Sequence, residues 1–294
     1  MELSLTEQLA YSTVRIQAVQ KDGRVATGTG FFFRLNDDGK QYVPVIITNW
    51  HVVEGGYQGR FSLTLADDKG GPIDGAYKEI LIDNFESRWI KHPDPKVDLA
   101  VMPIAPLLEE ANKLKLRVFF ISLDKTLLPS AEDLSNLTAV EEILMVGYPI
   151  GIWDSTNNLP IFRRGITATH PAKNYNGKNE FMIDAACFPG SSGSPVFLHN
   201  VGNYVNRSGG TVIGSRFKFL GILYAGPQYT SNGEIIVVEV PTKQIPVVAT
   251  QIPTNLGLVI KSNSLLAFED VFRALLPHPS AAKGASSSEA VSSP

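Results

Sequence analysis

Three short segments carry the residue types that nucleophilic acyl transfer requires. They are residues 46–53 around His51, residues 97–101 around Asp98 and residues 188–196 around Ser192. A serine hydroxyl is a weak nucleophile at its own pKa, so a histidine must accept its proton during attack. A carboxylate must fix the imidazole tautomer and stabilise the imidazolium that forms. Together the three segments supply one candidate for each of these groups.

The turn around the serine also suits a further requirement, a pair of backbone N–H groups that face the developing oxyanion. Gly190 can present its N–H group without a Cβ atom in the way, and the turn brings the N–H group of Ser192 to the same point. Each segment alone has an ordinary explanation: a hydrogen-bonded polar histidine, a capping aspartate and a flexible Gly-Ser loop. The order His, Asp, Ser distinguishes one class of triad folds from others, so the combination favours catalysis.

These segments resemble the trypsin-like serine proteases, and most closely the bacterial Deg/HtrA-like branch. Residues 48–53 (TNWHVV) resemble the pattern Thr-Asn-x-His-Val-Val, and residues 98–101 (DLAV) resemble Asp-Leu/Ile-Ala-Val/Leu. Residues 184–195 (DAACFPGSSGSP) are similar to Asp-Ala-Ala-x-x-Pro-Gly-Asn-Ser-Gly-Gly-Pro. GTGF at 28–31 resembles the strand before the histidine, and GILYAG at 221–226 resembles the strand after the serine. The resemblance covers about residues 13–240, which is most of the chain.

The resemblance implies an all-β, chymotrypsin-like fold of two perpendicular six-stranded antiparallel β-barrels, with short N-terminal and C-terminal helices. A catalytic triad would lie in the cleft between the barrels. By position in the motifs, Ser192 is the nucleophile, His51 the general base and Asp98 the residue that orients the histidine. The oxyanion hole would use the N–H groups of Gly190 and Ser192.

The resemblance also implies a substrate-binding region made of Ala186, Tyr224, Ala225 and Gly226. Ala186 aligns with the position where trypsin-type enzymes carry an acidic pocket floor, so cleavage after Lys or Arg is not expected. Tyr224 lies in the strand that binds the substrate backbone, and Ala225 and Gly226 would line the pocket wall. We therefore expect a polypeptide substrate with a small or medium apolar residue at P1.

Two positions depart from the family pattern. Ser194 replaces the second glycine of Ser-Gly-Gly-Pro, and because serine is small the turn is expected to survive. Ser191 stands where digestive-type members carry the aspartate that holds a newly cut N-terminus, and serine cannot form that ion pair. We therefore expect control by ordering of active-site loops, through a regulatory partner that the sequence does not identify.

The rest of the sequence predicts the elements that position this site. Short runs rich in Val, Ile, Phe and Tyr, with turn residues between them, are typical of a β-barrel or sandwich. Strands are predicted at residues 27–35, 42–48, 61–65, 99–104, 118–123, 143–147, 181–184, 217–224 and 235–240, and hairpin turns at 36–39 and 67–71. Helices are predicted at 5–15, where the helix runs into a strand, at 107–114, from Ser130 onward and at 265–276.

The expected domain organisation follows from these elements. We expect one protease domain over residues 1–277, with an N-terminal barrel at about 10–105, a linker at 106–140, a C-terminal barrel at about 141–250 and the closing helix. Residues 278–294 are rich in Ser, Ala and Pro and are expected to be disordered. About 50 residues follow position 240, fewer than a further PDZ-like module needs.

Composition limits the partners and the compartment. The chain of 294 residues has 26 Lys and Arg against 29 Asp and Glu, and this net charge of −3 argues against nucleic acid or anionic membranes. Its single cysteine, Cys187, excludes an internal disulfide scaffold. The first residues lack the basic and apolar regions of a signal peptide, and no long apolar run is present, so we expect a cytoplasmic protein. We expect no cofactor and no metal.

Four residues outside the triad have ordinary interpretations. His92, in the sequence KHPDP at 91–95, is predicted to be a surface-loop histidine. Arg163 and Arg164 lie in a region that regulates catalysis in the Deg/HtrA-like branch, although a solvated charged pair explains them equally well. Cys187 beside the specificity pocket is predicted to be a small buried apolar residue.

The sequence therefore predicts a serine endopeptidase that acts through an acyl-enzyme. One alternative is a pseudoprotease, in which the fold is kept as a peptide-binding or scaffold module. A second alternative is an enzyme that stays latent until a partner or effector arrives. The complete set of His51, Asp98 and Ser192 argues against the pseudoprotease, because a binding module has no need of all three.

Overall fold

The computed structural model describes residues 3–226, 228–231, 250–253 and 255–275. The strands of the first half are β1 (Thr13–Gln20), β2 (Val25–Leu35), β3 (Val43–Thr48), β4 (Gly56–Ala66), β5 (Pro72–Asp83), β6 (Ile90–Lys91), β7 (Ala100–Pro103) and β8 (Val118–Phe119). The strands of the second half are β9 (Glu142–Gly147), β10 (Ile161–Thr167), β11 (Glu180–Asp184), β12 (Pro195–Asn200), β13 (Asn203–Val205), β14 (Thr211–Ile213), β15 (Arg216–Ala225), β16 (Gln228–Ser231), β17 (Thr250–Pro253) and β18 (Leu256–Lys261). The α-helices are α1 (Leu5–Ala10), α2 (Trp50–Val53), α3 (Ala105–Lys113), α4 (Ala131–Asn136) and α5 (Leu266–Leu275).

The N-terminal sheet has the strand order β5-β4-β1-β2-β3-β7-β6, with β8 paired to β4. This sheet has eight strands where the resemblance implied six, because the two-residue strands β6 and β8 are added to six longer ones. The predicted turn at 67–71 joins β4 to β5 because the Asp67 carboxylate accepts N–H groups from Lys69 (2.9 Å) and Gly71 (2.8 Å). Residues 106–140, which were expected to be a linker, contribute strand β8 to this sheet through its pairing with β4.

The C-terminal unit is a closed barrel of six strands in the order β10-β11-β18-β15-β12-β9. The all-β, chymotrypsin-like fold class with barrel sheets and short terminal helices is confirmed. The predicted barrel end near residue 250 is wrong, because β18 closes the barrel by pairing with both β11 and β15. Gly257 permits this closure, since a Cβ atom there would lie 2.5 Å from the Leu223 side chain. The predicted strand at 235–240 and the predicted tail at 278–294 lie outside the described residues.

A shared core joins the two sheets. Phe31 and Phe33 of β2 belong to the same buried cluster as Phe197 of β12 and Phe219 of β15. The rings of Phe31 and Phe219 meet edge-on with centroids 5.4 Å apart. Burying one phenylalanine side chain stabilises a fold by about 1.5–3 kcal/mol, so this cluster fixes the position of one sheet against the other.

Two helices begin at a capping serine, and for α4 this is the start that the sequence predicts. Ser4 caps α1 and Ser130 caps α4, each through a complete capping box. The closing helix α5 buries Phe268 and Phe272 in the shared core. No helix among the described residues has the length and apolar character to cross a bilayer.

The prediction that His92 is a surface residue is wrong. Its side chain is buried, and its Nε2 atom lies 3.0 Å from the Ser264 carbonyl oxygen. Its ring also meets Phe268 edge-on, with centroids 5.3 Å apart. His92 therefore connects the loop before Asp98 to the segment that begins the closing helix, a contact between residues 172 positions apart in sequence.

Candidate active site

His51 and Asp98 form a direct pair at one edge of the N-terminal sheet. The apolar strand β3 ends at Thr48, and His51 lies in the single turn of helix, α2, that follows it. The imidazole Nδ1 atom lies 2.5 Å from Asp98 Oδ2, and the backbone N–H group of His51 donates to Asp98 Oδ1 at 3.1 Å. The carboxylate therefore holds both the ring and the backbone of the histidine.

Asn49 supports this pair, a role that the sequence pattern alone does not predict. Its buried side-chain amide donates to the backbone carbonyl oxygen of Asp98 at 2.8 Å. The bond ties the residue before β7 to the segment that leads into α2. Its signal in the sequence is its place in the TNWHVV motif, two residues before the histidine.

Two glycines with positive φ shape the turn that carries Ser192. Gly190 has φ +83° and Gly193 has φ +86°, a region that disfavours residues with a Cβ atom. A Cβ atom on Gly193 would lie 1.9 Å from the Thr29 carbonyl oxygen, so only glycine fits there. The N–H group of Thr29 donates to the Ser192 carbonyl oxygen at 2.8 Å, which attaches the turn to β2.

Ser194 fits into the turn in place of the family's second glycine. Its hydroxyl is fully buried and lies 3.3 Å from the Thr29 hydroxyl. The space for it comes from Gly147 at the end of β9, where a Cβ atom would lie 2.1 Å from the Ser194 Oγ atom. The extra hydroxyl is thus matched by a missing side chain on the neighbouring strand.

The structure joins His51 to Asp98 but gives Ser192 another partner. The Ser192 hydroxyl donates to the Tyr224 carbonyl oxygen at 3.5 Å, and this is its one hydrogen bond to the described residues. Among the described residues, the hydroxyl makes no hydrogen bond to His51. Catalytic hydrogen bonds that are long or misaligned without substrate commonly tighten in the substrate complex.

The loop that carries Gly190, a predicted oxyanion donor, is held by a backbone hydrogen bond on the carbonyl side of the Pro189–Gly190 peptide. The Pro189 carbonyl oxygen accepts the N–H group of Ile150 at 2.6 Å. The Pro189–Gly190 peptide is trans, so the N–H group of Gly190 points away from that contact. The N–H groups of Gly190 and Ser192 donate to no other described residue, which leaves both available to an oxyanion.

The predicted substrate-binding residues lie on two segments beside the serine. Tyr224 is half-buried at the end of β15, and its hydroxyl donates to the Glu180 carboxylate at 2.6 Å. Burial, followed by this bond and charge, raises the pKa of Tyr224. Ala225 and Gly226 are exposed next to it. Ala186 lies on the other segment, where its carbonyl oxygen accepts a hydrogen bond from Arg163 at 2.8 Å.

A cavity of about 960 Å³ borders His51 on the side of the N-terminal sheet. Its walls include the aromatic rings of Trp50, Tyr57 and Trp89. The Lys91 ammonium group lies over the Trp50 ring, 3.8 Å from its centroid.

Across the described part of the chain, no three His, Cys, Asp or Glu side chains are grouped closely enough to hold a metal ion.

Cys187 is expected to react slowly with alkylating reagents in the folded protein. Burial raises the pKa of its thiol to about 11, and each pKa unit lowers the reactive thiolate fraction roughly tenfold near neutral pH. Alkylation by iodoacetamide at pH 8 should be roughly 100-fold slower than for a free cysteine and should become fast in concentrated urea. Equal rates in folded and unfolded protein would contradict this prediction.

Comparison with known families matches the segments around His51, Asp98 and Ser192 to one domain model. The family model for the trypsin-like peptidase domain matches residues 28–205, a range that contains His51, Asp98 and Ser192. Comparison with curated protein sequences gives no significant match.

Several solved structures are similar to this chain at low sequence identity. The HtrA-type protease AlgW with a tripeptide is 18% identical, with a TM-score of 0.46 over 90% of this chain and 60% of that one. Rv3671c from M. tuberculosis H37Rv, in an inactive serine-to-alanine form, is 14% identical, with a TM-score of 0.40 over 92% and 90%. Deg5 is 17% identical, with a TM-score of 0.42 over 76% and 88%. The chain therefore spans 60% of the length of the AlgW structure.

Proposed function

Because the chain belongs to the trypsin-like peptidase family, we propose that it is a serine endopeptidase that hydrolyses polypeptides through Ser192, His51 and Asp98. The observation that carries the proposal is the double hydrogen bond between Asp98 and His51, at 2.5 and 3.1 Å. A carboxylate held to both the ring and the backbone of a histidine fixes which ring nitrogen carries the proton. The histidine is thereby prepared to act as a base.

In the first step the Ser192 hydroxyl attacks the carbonyl carbon of the scissile peptide bond. With Nδ1–H bonded to Asp98, the Nε2 atom of His51 carries a lone pair and accepts the serine proton. The hydroxyl leaves the Tyr224 carbonyl oxygen and turns toward His51 for this transfer. The imidazolium that forms is stabilised by the adjacent carboxylate.

The negative oxygen of the tetrahedral intermediate needs donors already in place. The N–H groups of Gly190 and Ser192 can supply two such hydrogen bonds, with the Ile150 N–H group holding the Pro189–Gly190 peptide in orientation. His51 then gives its proton to the leaving amine, and the peptide bond breaks to form an acyl-enzyme. Water, deprotonated by His51, hydrolyses the ester and restores the serine.

The substrate is proposed to be a polypeptide with a small or medium apolar P1 residue. Ala186, Ala225 and Gly226 place no charged side chain at the predicted pocket. We further propose that residues 1–277 act as one protease domain of the Deg/HtrA-like type, whose activity depends on how the active-site loops are ordered. Cytoplasmic location and a regulatory partner remain part of this proposal.

A fluorophosphonate probe tests the proposal directly, because it reacts covalently only with an activated serine. The wild-type protein should be labelled, and the Ser192→Ala and His51→Ala variants should not. Ser135→Ala, which changes an exposed serine on α4, serves as the matched control and should be labelled like the wild type. If the control lost its label and Ser192→Ala kept it, Ser192 would not be the nucleophile.

The same probe separates the two alternative functions. A folded wild-type protein that takes up no label would be a pseudoprotease or a latent enzyme. Addition of cell lysate or unfolded polypeptide distinguishes these two, because only the latent enzyme gains label. The bond from Ser192 to Tyr224, rather than to His51, makes this comparison worthwhile.

A further inference from the structure

Strand β10 places the side chains of Arg163 and Arg164 on opposite faces of the sheet. Successive side chains of a strand point to opposite faces, and the burial along Ile161–Thr167 alternates accordingly. Arg164 faces solvent and pairs with Glu142 at 3.2 Å. Arg163 faces inward, toward the loop that precedes the candidate nucleophile.

Arg163 holds both ends of that loop with one nitrogen atom. Its Nη1 atom donates to the Ala186 carbonyl oxygen at 2.8 Å and to the Ser191 hydroxyl at 2.6 Å. Ser191 is fully buried and lies between Gly190 and Ser192 in sequence. A contact that fixes Ser191 therefore constrains directly the peptide unit that carries the Ser192 N–H group, and it constrains the Gly190 N–H group through the one residue between them.

The placement of Arg163 is costly for stability. Among the described residues no carboxylate pairs with it, and its Nε and Nη2 atoms are buried without hydrogen-bond partners. Burial lowers the pKa of Arg163 to about 10. A buried cation without a counter-charge is unfavourable, and an apolar residue of similar volume is often as stable or more so. Fold stability alone therefore does not explain this residue.

Resting on the proposed endopeptidase function, we propose that Arg163 is a positioning residue that holds residues 186–191 in the arrangement that presents the Gly190 and Ser192 N–H groups to the oxyanion. Digestive-type members anchor this loop through an aspartate at the position of Ser191, and serine cannot form that ion pair. In this chain the charged anchor is Arg163, which lies on β10 and not in the loop itself. Arg163 acts through the loop and does not touch the substrate.

Two readouts test this role, one of them independent of catalysis. In Arg163→Ala the rate of fluorophosphonate labelling should fall roughly 100-fold, as expected when reacting groups are displaced by about 1 Å. In the same variant, alkylation of Cys187 should accelerate at least tenfold, because exposure of the thiol in the unanchored loop removes the burial that raises its pKa, and this outweighs the loss of the Arg163 charge that lowers its pKa. Added guanidinium ion at a non-denaturing concentration should restore part of the labelling. Arg164→Ala is the matched control and should change neither rate by more than about twofold.

The outcomes distinguish this inference from the proposed function. If the wild type is labelled and Arg163→Ala behaves like Arg164→Ala in both readouts, the positioning role is wrong. If the wild type is never labelled, even with added cell lysate or unfolded polypeptide, but Arg163→Ala alone exposes Cys187, the loop anchor stands and the endopeptidase proposal fails. If Arg163→Ala does not fold, Arg163→Lys decides: labelling at least fivefold slower than in Arg164→Lys supports the role, and equal rates overturn it.

Discussion

Replacing Asp98 with asparagine should lower kcat roughly 10⁴-fold while leaving the fold intact, as loss of the correct histidine tautomer does in this class of triad. In the structure, Asp98 Oδ1 accepts the backbone N–H group of His51, and Oδ2 faces the ring Nδ1 atom. In the Asp98→Asn variant the carboxamide oxygen would keep the backbone bond, which turns the NH₂ group toward Nδ1. An NH₂ group can only donate there, so the proton would move to Nε2 and His51 could not accept the proton of Ser192.

The measurement is kcat with a peptide substrate found by profiling, together with the rate of fluorophosphonate labelling. Asp94→Asn is the matched control, because Asp94 is exposed in the same loop and its carboxylate accepts only the Lys96 N–H group, at 2.9 Å. The control should keep wild-type activity. An Asp98→Asn variant with more than a tenth of wild-type kcat would remove Asp98 from the mechanism.

The pairing of His51 with Asp98 was predictable because each of the two residues lies in a short, local pattern. His51 follows a buried apolar strand, and Asp98 precedes another, so both are held at strand ends. The pairing of β3 with β7 brings these ends together, with Thr48 opposite Ala100. Residue order in the motifs carried this information without any knowledge of distances.

The inward position of Arg163 could not be predicted in the same way. In the sequence IFRRGIT, Phe162 and Ile166 alternate with arginine and glycine as if the apolar side were the buried one. The structure does the reverse: Phe162 and Ile166 are partly exposed and Arg163 is turned inward. Which side of the strand faces the core depends on its register with β9, where Arg163 lies opposite Met145, and register is a long-range property.

Strand β18 and the burial of His92 were missed for a related reason. Both depend on contacts between the end of the chain and segments far earlier in sequence. Within residues 256–261 the sequence LGLVIK is short and includes a glycine, which normally weakens a strand prediction. The glycine leaves room for the side chains of Leu223 and Cys187, whose ends lie 2.5 and 2.6 Å from the position of a Cβ atom.

Replacing Gly190 with alanine should lower kcat by about 10²–10³-fold, the usual effect of losing one oxyanion donor. Gly190 has φ +83°, and a Cβ atom there would lie 2.9 Å from the Tyr148 carbonyl oxygen and 3.0 Å from the Ile150 nitrogen. Both neighbours are backbone atoms, so the loop must move in order to accept the methyl group. Movement breaks the bond between Ile150 and the Pro189 carbonyl oxygen that sets the direction of the Gly190 N–H group.

Gly177→Ala separates this effect from the general strain of alanine at positive φ. Gly177 has φ +78° in an exposed turn, and nothing lies within 4 Å of its Cβ position. Both variants carry a backbone cost of roughly 1–3 kcal/mol, and Gly190→Ala adds the cost of moving the loop, so thermal unfolding should show Gly190→Ala at least as destabilised as Gly177→Ala. Only Gly190→Ala should also lower kcat, with KM changed much less, because the lost donor acts on the transition state more than on the bound substrate. Parallel kcat losses in both variants would mean that strain, and not the oxyanion donor, explains the effect.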